Sequence, residues 1–271
     1  MPAPQTSVQL YSAVRELAAD LDGTLARLAA LGLRNVEAFG FVDRADELAA
    51  ALARHGLRAP TGHAMLASTT VQQGDLVIDV PGREVTFDAA AALGVTTVFD
   101  PFVPPDRWTT PDGVAHTAEL LNAAAAAAKG FGLRVGYHNH SHEFVTEIDG
   151  VTAYERFVAD LDESVCLELD VYWAAVGGQD VPALIERLGP RLTALHVKDG
   201  PLVAEPFASG RPFDPTTLGQ VPAGQGAIPL DAIVSVATFA EYAVIEFDHF
   251  DGDIIDGIGA SAEYLRTRGI N

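Results

Sequence analysis

The sequence predicts an α/β fold, a single (β/α)8 TIM barrel that spans residues 1–271. Eight short apolar segments alternate with helical patterns over 271 residues, a size at which an α/β barrel commonly folds as one unit. A second observation is a repeated boundary, in which a helical pattern ends in glycine and an apolar run follows. The third is that no stretch is rich enough in Gly, Pro or Ser to divide the chain.

The eight predicted strands are short and apolar on successive residues, which is typical of strands buried on both faces of a parallel sheet. They span residues 8–11, 35–38, 57–61, 96–100, 134–138, 165–169, 192–197 and 242–247. Four glycines mark the ends of helical patterns before these runs, namely Gly32, Gly56, Gly94 and Gly132. Glycine supplies the left-handed residue that ends a helix, so each position indicates a helix-to-strand junction.

Helical patterns lie between the strands, at residues 23–31, 43–55, 110–129, 182–188, 230–240 and 254–267. The first has Leu25, Leu28 and Leu31 at helical spacing. The third has Pro111 in its first turn and an alanine-rich interior, and both features favour a helix. The alternation of strands and helices favours a closed barrel over an open sheet.

An open, doubly wound sheet that binds a dinucleotide is the alternative fold. It requires a Gly-x-Gly-x-x-Gly turn directly after the first strand. The residues that follow Tyr11 are Ser-Ala-Val-Arg-Glu, and no phosphate-binding P-loop motif is found elsewhere. The segment of residues 200–228 is rich in Gly and Pro but lies between the seventh strand and its helix. We therefore predict a long loop on the catalytic face there, not a domain boundary.

Charge and composition exclude several classes of protein. The chain has 37 acidic residues against 17 Lys and Arg, which gives a net charge of -20. Such a surface repels polyanions, so we expect no nucleic-acid partner and no anionic membrane partner. The single cysteine, Cys166, excludes an intramolecular disulfide and a thiolate zinc cluster. Without a signal-peptide pattern or a membrane-spanning run, the sequence favours a cytoplasmic protein.

Acidic and imidazole side chains follow four consecutive predicted strands, at the end of the barrel where active sites lie. Glu143, Asp170, His196 and Glu246 could surround one divalent cation. Three carboxylates and one imidazole suit Mn²⁺ or Mg²⁺, with Co²⁺ or Zn²⁺ as alternatives. Alone, Asp170 could cap a helix and His196 could be a hydrogen-bonded core residue. A carboxylate such as Glu246 at the end of a buried strand needs a partner, and the coincidence on four strands predicts a metal site.

These segments resemble the sugar phosphate isomerase/epimerase superfamily, the xylose-isomerase-like TIM barrels. The resemblance rests on Tyr-His-Asn-His-x-His-Glu-Phe at 137–144, Asp-Val-Tyr-Trp at 170–173, His-Val-Lys-Asp-Gly at 196–200 and Glu-Phe-Asp at 246–248. It extends from residue 8 to the last helix. It implies that a Glu, an Asp, a His and a second Glu bind one divalent metal, and these are Glu143, Asp170, His196 and Glu246 here.

One spacing departs from the ketose epimerases of this family, whose first metal-binding Glu ends the fifth strand. That position is His138 here, and Glu143 lies five residues further on. We expect Glu143 to be the ligand, because an imidazole in its place would remove a negative charge; His138 is the alternative. These epimerases also have a His three residues after the Asp, where this chain has Trp173. A ketose 3-epimerase activity is therefore not assumed.

The predicted function is a metal-dependent isomerisation or epimerisation of a keto-sugar or related polyol through an enediolate. Glu143 or His138 would remove a proton, and Glu246 or His140 would return it. Lys198 could neutralise a developing oxyanion, or it could simply pair with a neighbouring carboxylate.

Three further residues are predicted to contact the substrate, namely His63, Asn139 and Trp173. His63 ends the third predicted strand, and its alternative role is that of a core or capping histidine. Arg211 and Gly224-Gln225-Gly226 are the candidates for a phosphate cradle. They form a weak pattern, so we favour an unphosphorylated sugar.

Two other functions stay open. The same metal and bases would support elimination, as in an inosose dehydratase or an enzyme that eliminates from a 3-keto-glycoside. A barrel that binds sugar without turnover is the second alternative. The DNA-binding, three-zinc endonuclease IV branch disagrees with the net charge of -20. A homo-oligomer is compatible with the sequence.

Overall fold

The computed structural model describes residues 3–73, 76–207 and 213–271, and eight parallel strands form its centre. The strands are β1 (Gln5–Val8), β2 (Asn35–Ala38), β3 (Arg58–His63), β4 (Thr97–Asp100), β5 (Arg134–His138), β6 (Cys166–Asp170), β7 (Leu192–Val197) and β8 (Tyr242–Ile245). Their order in the sheet is β1-β8-β7-β6-β5-β4-β3-β2. Strands β2 to β8 therefore pair in chain order and β1 pairs with β8, and the predicted TIM barrel is confirmed.

The barrel is nearly closed, and β1 and β2 meet at its seam. An isolated parallel bridge joins Gln9, directly after β1, to Glu37 in β2. The side-chain amide of Gln9 also donates a 2.8 Å hydrogen bond to Glu37 Oε1. The seam thus places a fully buried carboxylate in the barrel wall.

Helices alternate with the strands throughout the described residues. They are α1 (Val14–Ala19), α2 (Leu21–Ala30), α3 (Ala45–Arg54), α4 (Arg83–Leu93), α5 (Pro111–Ala128), α6 (Ala153–Asp160), α7 (Val171–Val176), α8 (Val181–Leu188), α9 (Leu230–Val236) and α10 (Ile254–Arg266). Local sequence explains their starts: Thr110 caps α5 before Pro111, and Thr152 and Glu155 form a capping box at α6. In the part of the chain that the structure describes, no helix is long and apolar enough to cross a membrane.

The first predicted strand is displaced along the chain. We predicted residues 8–11, but β1 ends at Val8 and a 3-10 helix follows at Leu10–Ala13. The Gln9 side chain accepts a 3.1 Å hydrogen bond from the Tyr11 amide, which caps this helix. The 3-10 helix buries its apolar residues as a strand would. The apolar character of these residues therefore does not distinguish a strand from a 3-10 helix. The other strands have the predicted bounds or differ by one or two residues at an end.

Several short elements are absent from the sequence prediction. These are helices α1, α6 and α7 and two antiparallel hairpins, while helix α4 ends at Gly94 as predicted although the sequence indicated no start for it. One hairpin pairs Thr70–Gln73 with Leu76–Asp79, and the other pairs Glu147–Ile148 with Val151–Thr152. Helix α7 begins directly after β6, so the apolar run of the strand continues into the helix without a break.

Candidate active site

The carboxyl ends of the strands enclose a buried cluster of acidic, imidazole and amino groups. Glu37 of β2 contacts His196 of β7, and His63 of β3 contacts Glu168 of β6. These strands are not neighbours in the sheet, so the side chains meet inside the barrel. The whole cluster comprises Glu37, His63, His138, Glu168, Asp170, His196, Lys198, Glu246 and Asp248.

Four residues of this cluster, which we call the rim group, are His138, Asp170, His196 and Glu246. One ligand-type atom from each lies within 4.8 Å of the others, and all four residues are buried. His138 Nε2 is 3.8 Å from Asp170 Oδ2, and His196 Nδ1 is 2.5 Å from Glu246 Oε2. The structure therefore brings together three of the four predicted ligands, Asp170, His196 and Glu246, with His138 as the fourth member.

Glu143, the fourth predicted ligand, has a different position. Its carboxylate accepts a 2.7 Å hydrogen bond from the Tyr137 hydroxyl and 3.0 Å bonds from the His140 amide. It belongs to neither group of described residues whose ligand atoms converge. The chain turns into a 3-10 helix at His142–Phe144, which keeps Glu143 with its own loop. In the structure Glu143 thus supports the loop after β5, and His138, the alternative that the sequence left open, lies in the rim group.

A second set of atoms, which we call the inner group, lies on the other side of the two shared imidazoles. It contains His63, His138, Glu168 and His196. His63 Nε2 lies 2.6 Å from Glu168 Oε2, and His138 Nδ1 lies 3.2 Å from the same oxygen. Glu37 Oε1 lies 2.6 Å from His196 Nε2 and 3.1 Å from His63 Nε2. One nitrogen of His138 and of His196 thus faces the rim, while the other faces a buried glutamate.

Lys198 lies between the rim group and Asp248. Its Nζ is 2.8 Å from Glu246 Oε2, 3.0 Å from Asp170 Oδ2 and 3.0 Å from Asp248 Oδ2. The ammonium is buried, and although burial alone would lower it, these carboxylates raise the pKa of Lys198 well above its usual value. Lys198 therefore carries a positive charge at the edge of the rim group.

The charge inside the barrel is unbalanced. The cluster holds five carboxylates against one lysine and three histidines. Burial alone would lower the pKa of His63, yet the neighbouring Glu37 and Glu168 raise it to about 10. Burial raises the pKa of Asp170 to about 6, against the attraction of Lys198 and His196. Asp170 Oδ2 is fully buried and lacks a hydrogen bond of good geometry, so the site fits a further cation.

A cavity of about 380 Å³ opens onto the rim group, where His138 and Glu246 line it. Its polar floor contains His138, His140, Lys198, Glu246 and Asp248, and its walls include Tyr11, Phe39, Phe102, Phe207 and Phe213. This volume is in the range of small-molecule sites. The predicted catalytic residues His138, His140, Lys198 and Glu246 therefore share one cavity, whereas Glu143 does not line it.

His140 is a neutral imidazole that lines the cavity. Burial, together with His142 and Lys198, holds the pKa of His140 well below its usual range. Its Nδ1 is buried without a hydrogen-bond partner. The ring packs against Phe102 and Phe207, with ring centres 5.2 Å and 5.1 Å away. His140 therefore presents a neutral imidazole to the cavity.

Two of the predicted substrate contacts, Trp173 and Asn139, are fully buried in the structure. Phe207 and Phe213 cover Trp173 at ring distances of 5.1 Å and 5.8 Å, so it has no free face for a sugar. Asn139 links two strands, since its Oδ1 accepts a 2.9 Å hydrogen bond from the Asp170 amide. His63, the third predicted contact, lines the cavity.

Sequence reasoning missed Glu37, Glu168 and Gln9. Glu168 lies two residues before Asp170 in β6, so both side chains point to the same side of the strand. An acidic residue inside an apolar strand, at this spacing from a predicted ligand, was the available signal. Glu37 carried the same signal in β2, where it follows Val36.

Asp199 anchors the loop that follows β7. Its two carboxylate oxygens accept four backbone hydrogen bonds of 2.8–3.1 Å, from the amides of Gly200, Gly224, Gly226 and Ile228. The first and last parts of the predicted loop of residues 200–228 are thereby joined. Residues 208–212, including Arg211, lie outside the described part of the chain.

We expect Asp199→Asn to destabilise the fold by about 2–4 kcal/mol, because the amide nitrogen would face backbone donors. For a domain of this size, that corresponds to a fall of about 5–15 °C in Tm. Asp214→Asn is the matched control, since Asp214 is an exposed loop cap whose carboxylate accepts hydrogen bonds from Thr216, and its Tm should change little. Thermal unfolding followed by circular dichroism measures both, and equal Tm values in the two variants would contradict the anchoring role.

Comparison with known proteins places these features in a family. A family model described as xylose isomerase-like TIM barrel matches residues 25–268, which include every residue of the rim and inner groups. No curated protein matches the chain.

Several solved structures share the fold at low sequence identity. A sugar phosphate isomerase/epimerase from Parabacteroides distasonis is 23% identical with a TM-score of 0.77, covering 98% of this chain and 94% of that one. The probable 3-DHS dehydratase AsbF from Bacillus anthracis is 12% identical with a TM-score of 0.71, covering 97% and 99%. The IolI protein, whose structure contains a zinc atom, is 15% identical with a TM-score of 0.70, covering 97% of each chain.

Proposed function

Because the chain belongs to the xylose isomerase-like TIM-barrel family, we propose that it is a divalent-metal-dependent isomerase or epimerase of a keto-sugar or related polyol. The observation that carries the proposal is the rim group. Four ligand-type side chains from four consecutive strands converge within 4.8 Å. Two of them, His138 and Glu246, line a cavity of about 380 Å³. Similar barrels include an isomerase/epimerase and a zinc-containing protein, which supports the proposal.

The proposed ligands are His138, Asp170, His196 and Glu246. Two carboxylates and two imidazoles suit Mn²⁺, Co²⁺ or Zn²⁺, and Mg²⁺ less well, because magnesium prefers oxygen ligands. When bound, the cation would polarise a substrate carbonyl and an adjacent hydroxyl as a Lewis acid.

The inner group would hold the ligands in place. Metal-binding histidines usually donate their second ring N–H to a carboxylate, which fixes the ring orientation and the tautomer. Glu168 Oε2 lies 3.1 Å from His196 Nε2 and 3.2 Å from His138 Nδ1, and Glu37 Oε1 lies 2.6 Å from His196 Nε2. These glutamates therefore orient both imidazoles toward the rim.

Two groups on different sides of the cavity can move protons. His140 follows β5, and its low pKa leaves it neutral and able to accept a proton. Asp248 follows β8, where burial raises the pKa of its carboxyl group, and it contacts Lys198. One group would remove the proton beside the carbonyl and the other would donate its own proton to the enediolate, which gives isomerisation or epimerisation, and proton exchange with water would restore both groups. Lys198 would also stabilise the developing oxyanion.

The substrate is proposed to be an unphosphorylated small molecule. Among the described residues that line the cavity, Lys198 is the only Lys or Arg, and three carboxylates already surround it. A phosphate group would meet more negative than positive charge there. This agrees with the net charge of -20.

Elimination is the second candidate, because the Asp248–Lys198 pair could protonate a departing hydroxyl as readily as a carbon. The first step would be the same proton abstraction by His140. Mass spectrometry separates the two reactions, since elimination lowers the product mass by one water and isomerisation leaves it unchanged.

The test of the proposed function is hydrogen exchange in D₂O. Metal-loaded protein is incubated with a panel of keto-sugars and inososes, and deuterium next to the carbonyl is measured by NMR. We expect incorporation that requires the metal and is lost in His140→Gln. A sugar-binding barrel without turnover would bind members of the panel and produce no exchange in any of them.

Metal binding should weaken in acid. Burial raises the pKa of Asp170 to about 6, so a proton competes with the metal below that pH while the free carboxylate is available above it. For this group alone, the apparent affinity for Mn²⁺ should fall about tenfold between pH 7 and pH 5. Calorimetric titration with Mn²⁺ at pH 5, 6 and 7 measures the effect, and a constant affinity would contradict competition between the metal and a proton at Asp170 in this range.

A further inference from the structure

A second cavity lies beside the one that opens onto the rim group. It has a volume of about 420 Å³ and lies between the ends of β2 and β3 and the paired strands Thr70–Gln73 and Leu76–Asp79. Its walls are mainly apolar and include Phe41, Val42, Met65, Val71, Ile78 and Pro101. The proposed chemistry uses none of this surface.

The two cavities are continuous. Phe39, His63, Met65 and Pro101 line both of them. Phe39 stands at this junction with 39% of its surface exposed, and its ring packs edge-on against Tyr11 at 5.1 Å. An exposed aromatic ring between a polar floor and an apolar recess is a suitable contact for a second ring of a ligand.

The charge in the second cavity selects against anions. Asp43 and Asp79 are carboxylates in its lining, and its described residues include no Lys or Arg. A phosphate or carboxylate group on the ligand would therefore be repelled. An uncharged apolar group would instead be removed from water against the apolar walls.

We propose that the substrate has two parts, a polyol with its carbonyl over the rim group and an uncharged aryl or branched alkyl group in the second cavity. The substrate class is thus a glycoside-like molecule with an apolar substituent, not a free sugar. This inference rests on the proposed function, because the rim group identifies where the polyol lies. The second cavity is about as large as the first, so a free keto-sugar would leave half of the available space to water.

The hairpin provides a matched pair of residues for a test. Ile78 lines the second cavity, whereas Val77 does not and is 68% exposed. Neighbouring residues of a strand point to opposite sides. The two side chains are both branched and aliphatic, so they differ mainly in whether they face the cavity. Neither belongs to the rim group or the inner group.

The experiment measures binding of two uncharged probes to the Mn²⁺-loaded protein by calorimetry or ligand-observed NMR. The probes are methyl and phenyl glucopyranoside, each as both anomers. We expect the phenyl probe to bind about tenfold more tightly, since burial of its ring removes apolar surface from water. Ile78→Asp should abolish this preference and leave the methyl probe unchanged. Val77→Asp should retain the preference.

Equal affinity for the two probes in the wild-type protein would overturn the inference, and so would a phenyl preference that survives Ile78→Asp. The outcome is independent of the proposed chemistry. A protein that shows the Ile78-dependent preference without metal-dependent exchange in D₂O keeps the second cavity as a binding site and loses the isomerase assignment. A protein that shows metal-dependent exchange in D₂O without the Ile78-dependent preference keeps the isomerase assignment and loses the second cavity as a binding site.

Discussion

His138→Ala should lose its bound divalent metal, with the metal Kd raised by more than about 100-fold. This exceeds the 10- to 100-fold effect typical of residues that only support a ligand, because a ligand itself is removed. Proton exchange should fall by at least about 10³, since Lewis-acid stabilisation accounts for several kcal/mol of the barrier. Metal content after gel filtration, and exchange in D₂O with excess Mn²⁺, measure the two effects.

Glu143→Gln is the matched control for His138→Ala. Both residues lie in the segment after β5, but the Glu143 carboxylate is held by Tyr137 and the His140 amide. The glutamine oxygen can keep an acceptor in this place, so metal content should stay at the wild-type level. Metal loss in Glu143→Gln together with full metal in His138→Ala would reverse the assignment and restore the ligand that the sequence favoured.

Glu246→Gln should lower bound metal and proton exchange together. It removes one of two carboxylates from the proposed ligand set and leaves Lys198 with a weaker partner, because the 2.8 Å ion pair to Glu246 is lost. Burial alone would raise the pKa of Glu246, but Lys198 and His196 hold it below its usual range. The carboxylate is therefore charged at neutral pH, and a neutral amide cannot replace it. We expect a loss of at least about 10² in exchange rate.

Glu241→Gln provides the comparison for Glu246→Gln. Glu241 lies just before β8, at the opposite end of the strand, and pairs with Arg134 on the surface. Exposed ion pairs contribute little to stability, so its metal content and exchange should equal those of the wild type. Full metal and full exchange in Glu246→Gln would remove Glu246 from the site.

The fold was predictable because its signals are local and repeated. Glycines at Gly94 and Gly132 have positive φ angles and end their helices as the sequence indicates. Short elements were not predictable for a physical reason. The side chain of Asp170, a predicted metal ligand, also caps helix α7. One carboxylate oxygen caps the helix and the other faces the rim group, a division of roles that the sequence does not reveal.

The site was predictable as a set of strand ends and not as a set of contacts. Asp170, His196 and Glu246 follow from strand position alone. The choice between His138 and Glu143 depended on the path of the chain after β5, where the 3-10 helix at His142–Phe144 keeps Glu143 away from the rim. Charge counting favoured Glu143, because Glu37 and Glu168 were not recognised. These two glutamates supply negative charge beside His138 and His196, on the side that faces away from the rim. A third carboxylate in the rim group is therefore not required to attract a cation.

The anchoring of one loop by Asp199 has a consequence for how this barrel could acquire new substrates. The segment from Gly224 to Ile228 is tied to the residue next to Lys198, so an insertion or deletion there would disturb the strand that carries His196. Phe207 and Phe213 lie outside this tether and cover the cavity from the other part of the loop. Changes in length and sequence around the two phenylalanines should therefore disturb the fold little, whereas changes after Gly224 should destabilise it. Directed evolution of this protein should accumulate its specificity changes in the first region and leave the second unaltered.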